Sequence, residues 1–336
     1  MSPKRRFLAA LFRGPVDRPS VANPTSIATV ELMGETGAFF PEAHLDAEKM
    51  ATLAAGGHEI LGYDTIAPIF SVVQEAAALG CQMNWGRKAE MPINTNSPIP
   101  EPEEVKIPED FLERQPIRVT LDAISCLRHR YGDHVAIVGK VMGPWTLSYH
   151  MKGVQDFLLD IILDPDKVRR FLEALMPVTI LYGKAQMQAG ADVLVVADHC
   201  TGDLVRAETY RDFLLPYHQI ITHELGCPTI LHCCGKALDR MSYFAQAGFD
   251  GYHFESKNDP RASLEAVGGK ISLVGNINNP QTLLQGTPEE VKREARAALR
   301  AGVKILAPEC AVPCTTPNDN LKALVEAAEA FCQDGQ

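Results

Sequence analysis

The chain lacks a hydrophobic run long enough to cross a membrane. Although 46% of its 336 residues are hydrophobic, no apolar stretch approaches the roughly 20 residues that a transmembrane helix requires. Near the amino terminus, the apolar residues Phe7 to Phe12 follow a basic triplet and are interrupted by Arg13. We interpret this segment as an amphipathic surface helix that ends at Gly14, not as a secretion signal. The sequence therefore predicts a soluble protein.

Basic residues are outnumbered by acidic ones. The 32 lysines and arginines face 42 aspartates and glutamates, which gives a formal net charge of −10 at pH 7. Sequence-independent binding to nucleic acid requires clustered lysine and arginine side chains that neutralise phosphates. We therefore expect neither nucleic acid nor a membrane as a partner.

Cysteine is present, but in too small a number for a disulfide framework in a chain of this length. Because the nine cysteines are an odd number, at least one thiol has no intrachain partner. Free thiols fit a reducing cytoplasm, which is where we expect the protein. Five cysteines are interpreted as small buried hydrophobic side chains, namely Cys81, Cys126, Cys200, Cys227 and Cys332.

Short apolar runs alternate with segments of helical periodicity from about residue 58 onward. This alternation favours repeated strand and helix units, and the spacing of the strands allows parallel pairing through helical crossovers. Seven strands are predicted, at 63–66, 135–142, 192–197, 228–231, 251–254, 271–275 and 303–307. Helices are predicted at 207–225, 238–247, 288–301 and 318–332, the third of them after a capping box of Thr287 and Glu290. The fold class is therefore α/β.

Three side chains of the types that bind zinc stand where predicted strands end. His232 and Cys234 close one strand, and Cys310 follows the last. Successive strand side chains point to opposite faces, so His232 and Cys234 share a face while Cys233 points away. One imidazole and two thiolates suit Zn²⁺. Three protein ligands leave the fourth tetrahedral position open, as in catalytic zinc sites.

Further polar side chains follow other predicted strands. In a (β/α)8 barrel the carboxyl ends of all strands meet at one mouth, so these side chains would lie beside the three ligands. We predict catalytic roles for Glu255 and Asp198, and contacts with cofactor or substrate for Asn276 and His199. For the last three of these residues, capping of a loop is the alternative. Trp145 is predicted to wall the pocket, with a place in the core as the alternative.

The pattern of motifs resembles the uroporphyrinogen decarboxylase superfamily, and within it the methylcobamide:coenzyme M methyltransferases. The resemblance spans nearly the whole chain. It is carried by the His-X-Cys pair with a cysteine 76 positions beyond it, and by the stretches Gly143-Pro144-Trp145-Thr146-Leu147, Gly275-Asn276-Ile277 and Ile305-Leu306-Ala307-Pro308-Glu309-Cys310. The resemblance implies a (β/α)8 TIM-type barrel. We expect residues 58–336 to form that barrel, and residues 1–57 to form a helical extension without strands that covers one end of it.

The same resemblance implies one zinc ion on His232, Cys234 and Cys310, which binds an incoming thiol as the thiolate. It also places Glu255 in or beside the fourth zinc position when no thiol is bound. Two departures from the family stand near the site. Glu309 replaces a residue that is more often Gly, and Cys233 and Cys314 add further thiols. The proline-rich segment 92–116 is expected to form a surface excursion that flanks the pocket.

The function that follows is transfer of a methyl group from a methylated corrinoid to a small thiol such as coenzyme M. A partner protein is expected to supply the corrinoid, because this sequence has no Asp-X-His-X-X-Gly pattern for holding cobalt. Alternatives are homocysteine or another acceptor or donor, and a non-catalytic barrel whose zinc takes Glu255 or Cys233 as fourth ligand. Decarboxylation of uroporphyrinogen is disfavoured, because an Arg-Gln-Ala-Gly-Arg-like motif is lacking and the segment 67–71 has no aspartate.

Overall fold

Eight parallel strands form a barrel at the centre of the molecule. The structure is a computed structural model that describes residues 1–333. Its strands in chain order are β1 (Ser20–Val21), β2 (Thr65–Ile66), β3 (Met83–Asn84), β4 (Ile93–Asn94), β5 (Ala136–Met142), β6 (Val193–Ala197), β7 (Thr229–His232), β8 (Gly251–Phe254), β9 (Ser272–Gly275) and β10 (Ile305–Leu306). The barrel order is β1-β10-β9-β8-β7-β6-β5-β2, and β3 and β4 form a separate antiparallel hairpin. The predicted (β/α)8 barrel is confirmed.

Helices surround the barrel. The helices of the described residues are α1 (Pro3–Leu11), α2 (Val30–Thr36), α3 (Ala47–Glu59), α4 (Gln74–Ala78), α5 (Gln115–Tyr131), α6 (Pro144–Lys152), α7 (Val154–Leu163), α8 (Pro165–Ala189), α9 (Ala207–Thr209), α10 (Leu215–Leu225), α11 (Met241–Phe244), α12 (Pro260–Val267), α13 (Pro288–Ala301) and α14 (Asn318–Gln333). The capping box predicted at Thr287 and Glu290 begins α13. Among residues 1–333, none of these helices combines the length and apolar character needed to cross a membrane.

The first barrel strand lies in the segment that the sequence predicted to be without strands. Ser20 and Val21 pair in parallel with Ile305 and Leu306 of β10, so this prediction for residues 1–57 is wrong. Two residues are too few to show an alternating pattern, which is why the strand was missed. The seven other barrel strands each overlap a predicted strand. The division at residue 57 stays a prediction.

A buried carboxylate ties the two ends of the sheet together. The backbone N–H of Asp64 donates to the Val21 carbonyl at 2.8 Å, across the seam between β1 and β2. The Asp64 carboxylate accepts hydrogen bonds from Arg6 at 2.7 Å, from Arg18 at 3.2 Å and from the Ser20 hydroxyl at 2.9 Å. Helix α1, the first strand and the second strand are therefore joined at one charged group.

Helix α1 covers the amino-terminal end of the barrel. Its side chains Phe7 and Leu11 are fully buried, and they pack with inward-facing residues such as Val138 and Val195. Position 251 on β8 must be glycine, because a Cβ atom there would lie 2.8 Å from the Leu11 side chain. With this end filled, the carboxyl end is the open mouth of the barrel.

Candidate metal centre

The side chains of His232, Cys234 and Cys310 converge at the carboxyl ends of β7 and β10. The His232 Nε2 atom lies 3.0 Å from the Cys234 sulfur and 3.5 Å from the Cys310 sulfur. The two sulfurs are 3.2 Å apart. His232 is the last residue of β7 and Cys234 follows two residues later, whereas Cys310 reaches them because the loop after β10 extends to the same end of the barrel.

A second imidazole supports this arrangement. His253 lies opposite His232 in the register of β7 and β8, and the centres of the two rings are 4.6 Å apart. The His253 Nε2–H donates to the Pro308 carbonyl at 2.7 Å. Because Pro308 precedes Cys310 by two residues, His253 links the two segments that carry the predicted ligands.

The donor set fits a zinc ion. Zinc binds nitrogen and sulfur at about 2.0–2.3 Å in a tetrahedron, which separates neighbouring donors by about 3.5–3.8 Å. The observed distances therefore need to widen by about half an ångström at most. Burial holds the pKa of His232 well below its ordinary value, so the imidazole is neutral and able to bind a cation. The hydrogen bond between the two thiols raises the pKa of Cys234 and lowers that of Cys310, and a bound cation would replace the proton that they share.

His199 is a fourth donor at this cluster. Its Nε2 atom lies 3.4 Å from the Cys234 sulfur, and the donor atoms of His199, His232 and Cys234 all lie within 4.8 Å of one another. Burial lowers the pKa of His199. The sequence predicted that His199 contacts cofactor or substrate, and it did not identify His199 as a candidate metal ligand. The available signal was its position two residues after the end of β6.

A small cavity opens beside the cluster. It has a volume of about 200 Å³, and its walls include Phe70, Met91, Lys140, His199, His232 and Cys310. Met91 and Pro92 form one side of it, so the segment 92–116 flanks this pocket as predicted. A larger open groove of about 1030 Å³ lies between α7 and residues 202–209. His199, His232 and Cys310 line the smaller cavity, and we therefore place the chemistry there.

Comparisons with known proteins identify the family of the chain. The family model described as uroporphyrinogen decarboxylase (URO-D) matches residues 2–331. The chain belongs to the uroporphyrinogen decarboxylase family. A member from Methanosarcina barkeri, "Methylcobamide:CoM methyltransferase MtaA", is 37% identical over 331 residues that cover 98% of each chain.

Two further comparisons point to the same branch of the family. The "Methylated-thiol--coenzyme M methyltransferase" of Methanosarcina mazei is 35% identical over 330 residues, which cover 98% of this chain and 89% of the relative. A solved structure described as a methyltransferase from Methanosarcina mazei matches with a TM-score of 0.95 at 36% identity, and the match covers 98% of this chain and 99% of the other. The predicted membership of the methyltransferase branch of the uroporphyrinogen decarboxylase family is confirmed, and the chain is a methyltransferase.

Glu255, the predicted occupant or neighbour of the fourth zinc position, follows β8. Its side chain is 14% exposed and lies 3.8 Å from the Lys257 ammonium. Burial raises its pKa, and its charge opposes ionisation of both Cys234 and Cys310. Glu255 is therefore close enough to affect the thiols, while the direct donor contact in the structure comes from His199.

Glu309, which departs from the usual glycine of the uroporphyrinogen decarboxylase family, has a structural role. Its carboxylate is buried and accepts hydrogen bonds from the Ser256 N–H at 2.9 Å and the Asn279 N–H at 2.8 Å. It also accepts one from the Ser256 hydroxyl at 2.5 Å. The residue beside Cys310 thus joins the loops that follow β8, β9 and β10.

The carboxylate of Asp198 lies at the amino-terminal end of α6. One carboxylate oxygen accepts a hydrogen bond from the Thr146 N–H at 2.7 Å, and the other lies 3.1 Å from His218 Nε2. Position 143 must be glycine, because a Cβ atom there would lie 2.1 Å from the second oxygen. The residue is 1% exposed. These hydrogen bonds hold the first turn of α6, and the catalytic role of Asp198 stays a prediction.

Trp145, predicted to wall the pocket, and Asn276, predicted to contact cofactor or substrate, are both buried. Trp145 is fully buried, its ring centre lies 5.0 Å from that of Phe157, and its indole N–H donates to the Tyr149 hydroxyl at 2.6 Å. It fills the core, which is the alternative left open above. Asn276 is 5% exposed and its amide donates to the Asn258 carbonyl at 3.2 Å, so the structure gives it a contact within the loops.

The two additional thiols lie apart from the cluster. Cys233 is 1% exposed, and its sulfur lies 3.8 Å from the Cys234 carbonyl on the other side of the chain. Burial raises its pKa. Cys314 contacts the Met91 sulfur at 3.9 Å. Neither thiol takes the position of a fourth ligand in the described residues.

Proposed function

We propose that this methyltransferase moves a methyl group from a methylated corrinoid to a small thiol in the cavity beside His232, Cys234 and Cys310. The observation that carries the proposal is the convergence of one neutral imidazole and two thiols at the barrel mouth. The relatives named for methylcobamide:CoM and methylated-thiol methyl transfer support the substrate classes. The corrinoid is assigned to a separate protein, since this sequence has no cobalt-binding histidine motif.

We infer a zinc ion at the three ligands. When bound, zinc would supply the thiolate form of the acceptor at neutral pH, where a free thiol with a pKa near 8.5 is mostly protonated. His232 would bind through Nε2, because burial keeps it neutral. The two cysteinates would balance the charge of the ion. A site with two cysteinates favours binding of a reactive substrate thiolate. Activation of a bound water molecule is more typical of histidine-rich sites.

The remaining residues would prepare the site for the acceptor. His199 or Glu255 would fill the fourth position until a thiol arrives, and either must then withdraw. His253 holds the two ligand segments together through Pro308. Phe70 and Met91 line the cavity, so they would exclude water from the sulfur that attacks the methyl group. We place this chemistry in the cytoplasm, because all nine cysteines are free thiols.

The proposal is tested with the purified zinc-loaded chain, methylcobalamin and a series of small thiols. Loss of the methylcobalamin absorbance should depend on both protein and thiol, and should stop when zinc is removed and resume when it is restored. The methyl donors are methylcobalamin and a methylated corrinoid protein, and the thiols are 2-mercaptoethanesulfonate, homocysteine and 2-mercaptoethanol. The proposal is contradicted if none of these combinations gives zinc-dependent demethylation. Activity with homocysteine alone would show that the acceptor is homocysteine and that the type of reaction is as proposed.

A structural zinc site is the second candidate, and one contact favours it. His199 stands 3.4 Å from Cys234, so four protein donors can close the tetrahedron. X-ray absorption at the zinc edge separates the two functions. Addition of a thiol should replace one nitrogen or oxygen neighbour with sulfur at an open catalytic site, whereas a closed site should give an unchanged spectrum.

A further inference from the structure

The strand β5 carries a charged side chain inside the barrel. Lys140 is 4% exposed and stands in the otherwise uncharged sequence Ala-Ile-Val-Gly-Lys-Val-Met. Its ammonium group has three donors, and its one hydrogen bond goes to the Thr25 carbonyl at 3.3 Å. In residues 1–333 the ion pairs within 4.0 Å do not include Lys140. A buried ammonium without a carboxylate partner is costly, which points to an absent anion.

The nearby carboxylate of Glu75 does not supply the missing anion. One of its oxygens accepts a hydrogen bond from the Met142 N–H at 2.8 Å, and burial raises its pKa to about 7. At neutral pH, Glu75 is therefore only partly ionised. It influences Lys140 at longer range without forming an ion pair with it.

The register of the sheet places Lys140 near the predicted metal ligands. Lys140 pairs with Val195, and His232 pairs with Ala197. Lys140 therefore lies two residues closer to the amino-terminal end than the level of His232, which is about 6.6 Å along the strands. Both residues line the same cavity of about 200 Å³, and Cys310 lines it too. Most of the remaining wall is apolar, so the cavity holds one ammonium-bearing side chain and one thiol, Cys310, in otherwise apolar surroundings.

We propose that Lys140 binds the anionic end of the thiol substrate and thereby selects small thiols that carry a negative group. This inference rests on the proposed function, since it assumes that the substrate sulfur binds at Cys234 and Cys310. An uncharged thiol of the same length would fill the cavity and leave the ammonium unpaired.

The test compares two thiols with the same two-carbon chain, 2-mercaptoethanesulfonate, which ends in an anionic sulfonate, and 2-mercaptoethanol, which ends in a neutral hydroxyl. The variant is Lys140→Met, which replaces lysine with an unbranched, uncharged side chain one atom shorter that suits a buried site. In the wild type, kcat/KM for methylcobalamin demethylation should be higher with the sulfonate. Lys140→Met should lower that value roughly 10- to 100-fold for the sulfonate, mainly through KM. It should change the value for 2-mercaptoethanol little.

Lys184→Met is the matched control. Lys184 is an exposed residue of α8 that pairs with Glu224, and its substitution removes the same charge away from the cavity. It should leave the preference for the sulfonate unchanged. Equal loss for both thiols in Lys140→Met, or a wild type that does not distinguish them, would overturn the proposal. Zinc content and thermal unfolding identify a variant that fails to fold.

A binding measurement keeps this inference separate from the proposed reaction. Calorimetric titration of the zinc-loaded wild type with each thiol should show tighter binding of the sulfonate, and Lys140→Met should remove the difference. If methyl transfer fails while this binding difference is observed, the reaction is wrong and the anion site stands. If methyl transfer occurs and the binding difference is absent, the role of Lys140 is wrong and the reaction stands.

Discussion

Two adjacent thiols, Cys233 and Cys234, differ completely in their surroundings. Cys234 lies against His232 and Cys310, whereas Cys233 faces the opposite side of the chain. Alternation along an extended strand is sufficient to predict this difference. His199 could not be identified as a donor in the same way, because its contact with Cys234 joins two separate strands.

Substitution of these cysteines tests the ligand assignment. Cys310→Ala should lose stoichiometric zinc and methyl transfer together, because it removes one of three ligands. Cys233→Ala should retain both, with only the modest loss of stability that a small buried side chain contributes. Metal analysis and the methylcobalamin assay measure the two properties. An equal loss of zinc from Cys233→Ala would show that the assignment of faces is mistaken.

The buried residue Glu75 predicts a dependence of stability on pH. Its pKa is raised by burial to about 7 in the folded protein, against 4.5 for an exposed glutamate. Between these values the unfolded chain has released the proton and the folded chain retains it, so stability falls as the pH rises. The full effect is roughly 3 kcal/mol. Glu75→Gln should therefore gain stability relative to wild type from pH 5 to pH 8, as measured by urea unfolding. A constant difference across that range would contradict the raised pKa.

At the scale of single elements, the shortest strands were the hardest to predict. β1 has two residues, and its position depends on parallel pairing with β10 and on the charges at Asp64. The long strand β5 has seven buried residues and was clear from its apolar sequence. The helix cap at Thr287 was also clear, because capping depends on neighbouring residues.

The seam between β1 and β2 gives a prediction for this element. Asp64→Asn should destabilise the protein by roughly 3–5 kcal/mol, because it removes the buried carboxylate that Arg6 and Arg18 share. Asp17→Asn is the matched control. Asp17 also pairs with Arg6, but it is 38% exposed, so its loss should cost about 1 kcal/mol or less. Unfolding in urea measures both values, and equal effects would argue against a central role for Asp64 in closing the barrel.

At the scale of the whole molecule, the metal cluster and the core occupy different places. The barrel interior is filled by apolar side chains from the strands and from α1, whereas the ligands lie at the opposite, open end. We therefore expect the core to hold the fold without a bound metal. This separation is typical of barrels, in which catalytic groups stand at the carboxyl ends of the strands.

Removal of zinc tests this separation. A strong chelator should lower the melting temperature, since it withdraws a ligand that binds the folded state, yet the far-ultraviolet circular dichroism at 25 °C should remain that of a folded α/β barrel. Restored zinc should return the melting temperature. If the chelated protein unfolds at 25 °C, the metal is a structural requirement, and the second candidate function is favoured.

The sequence by itself determined the barrel class, the family and three predicted zinc ligands. The alternation of strands and helices and the three ligand types depend on local features, namely periodicity, strand parity and side-chain types at strand ends, whereas the barrel class and the family also depend on the resemblance of the motifs to known proteins. The tertiary structure alone decided that His199 lies 3.4 Å from the Cys234 sulfur, that Asp198 and Trp145 are buried, and that Lys140 lines the same cavity as Cys310. Those results depend on which distant residues meet and on which groups remain without partners, and both are set by packing in three dimensions.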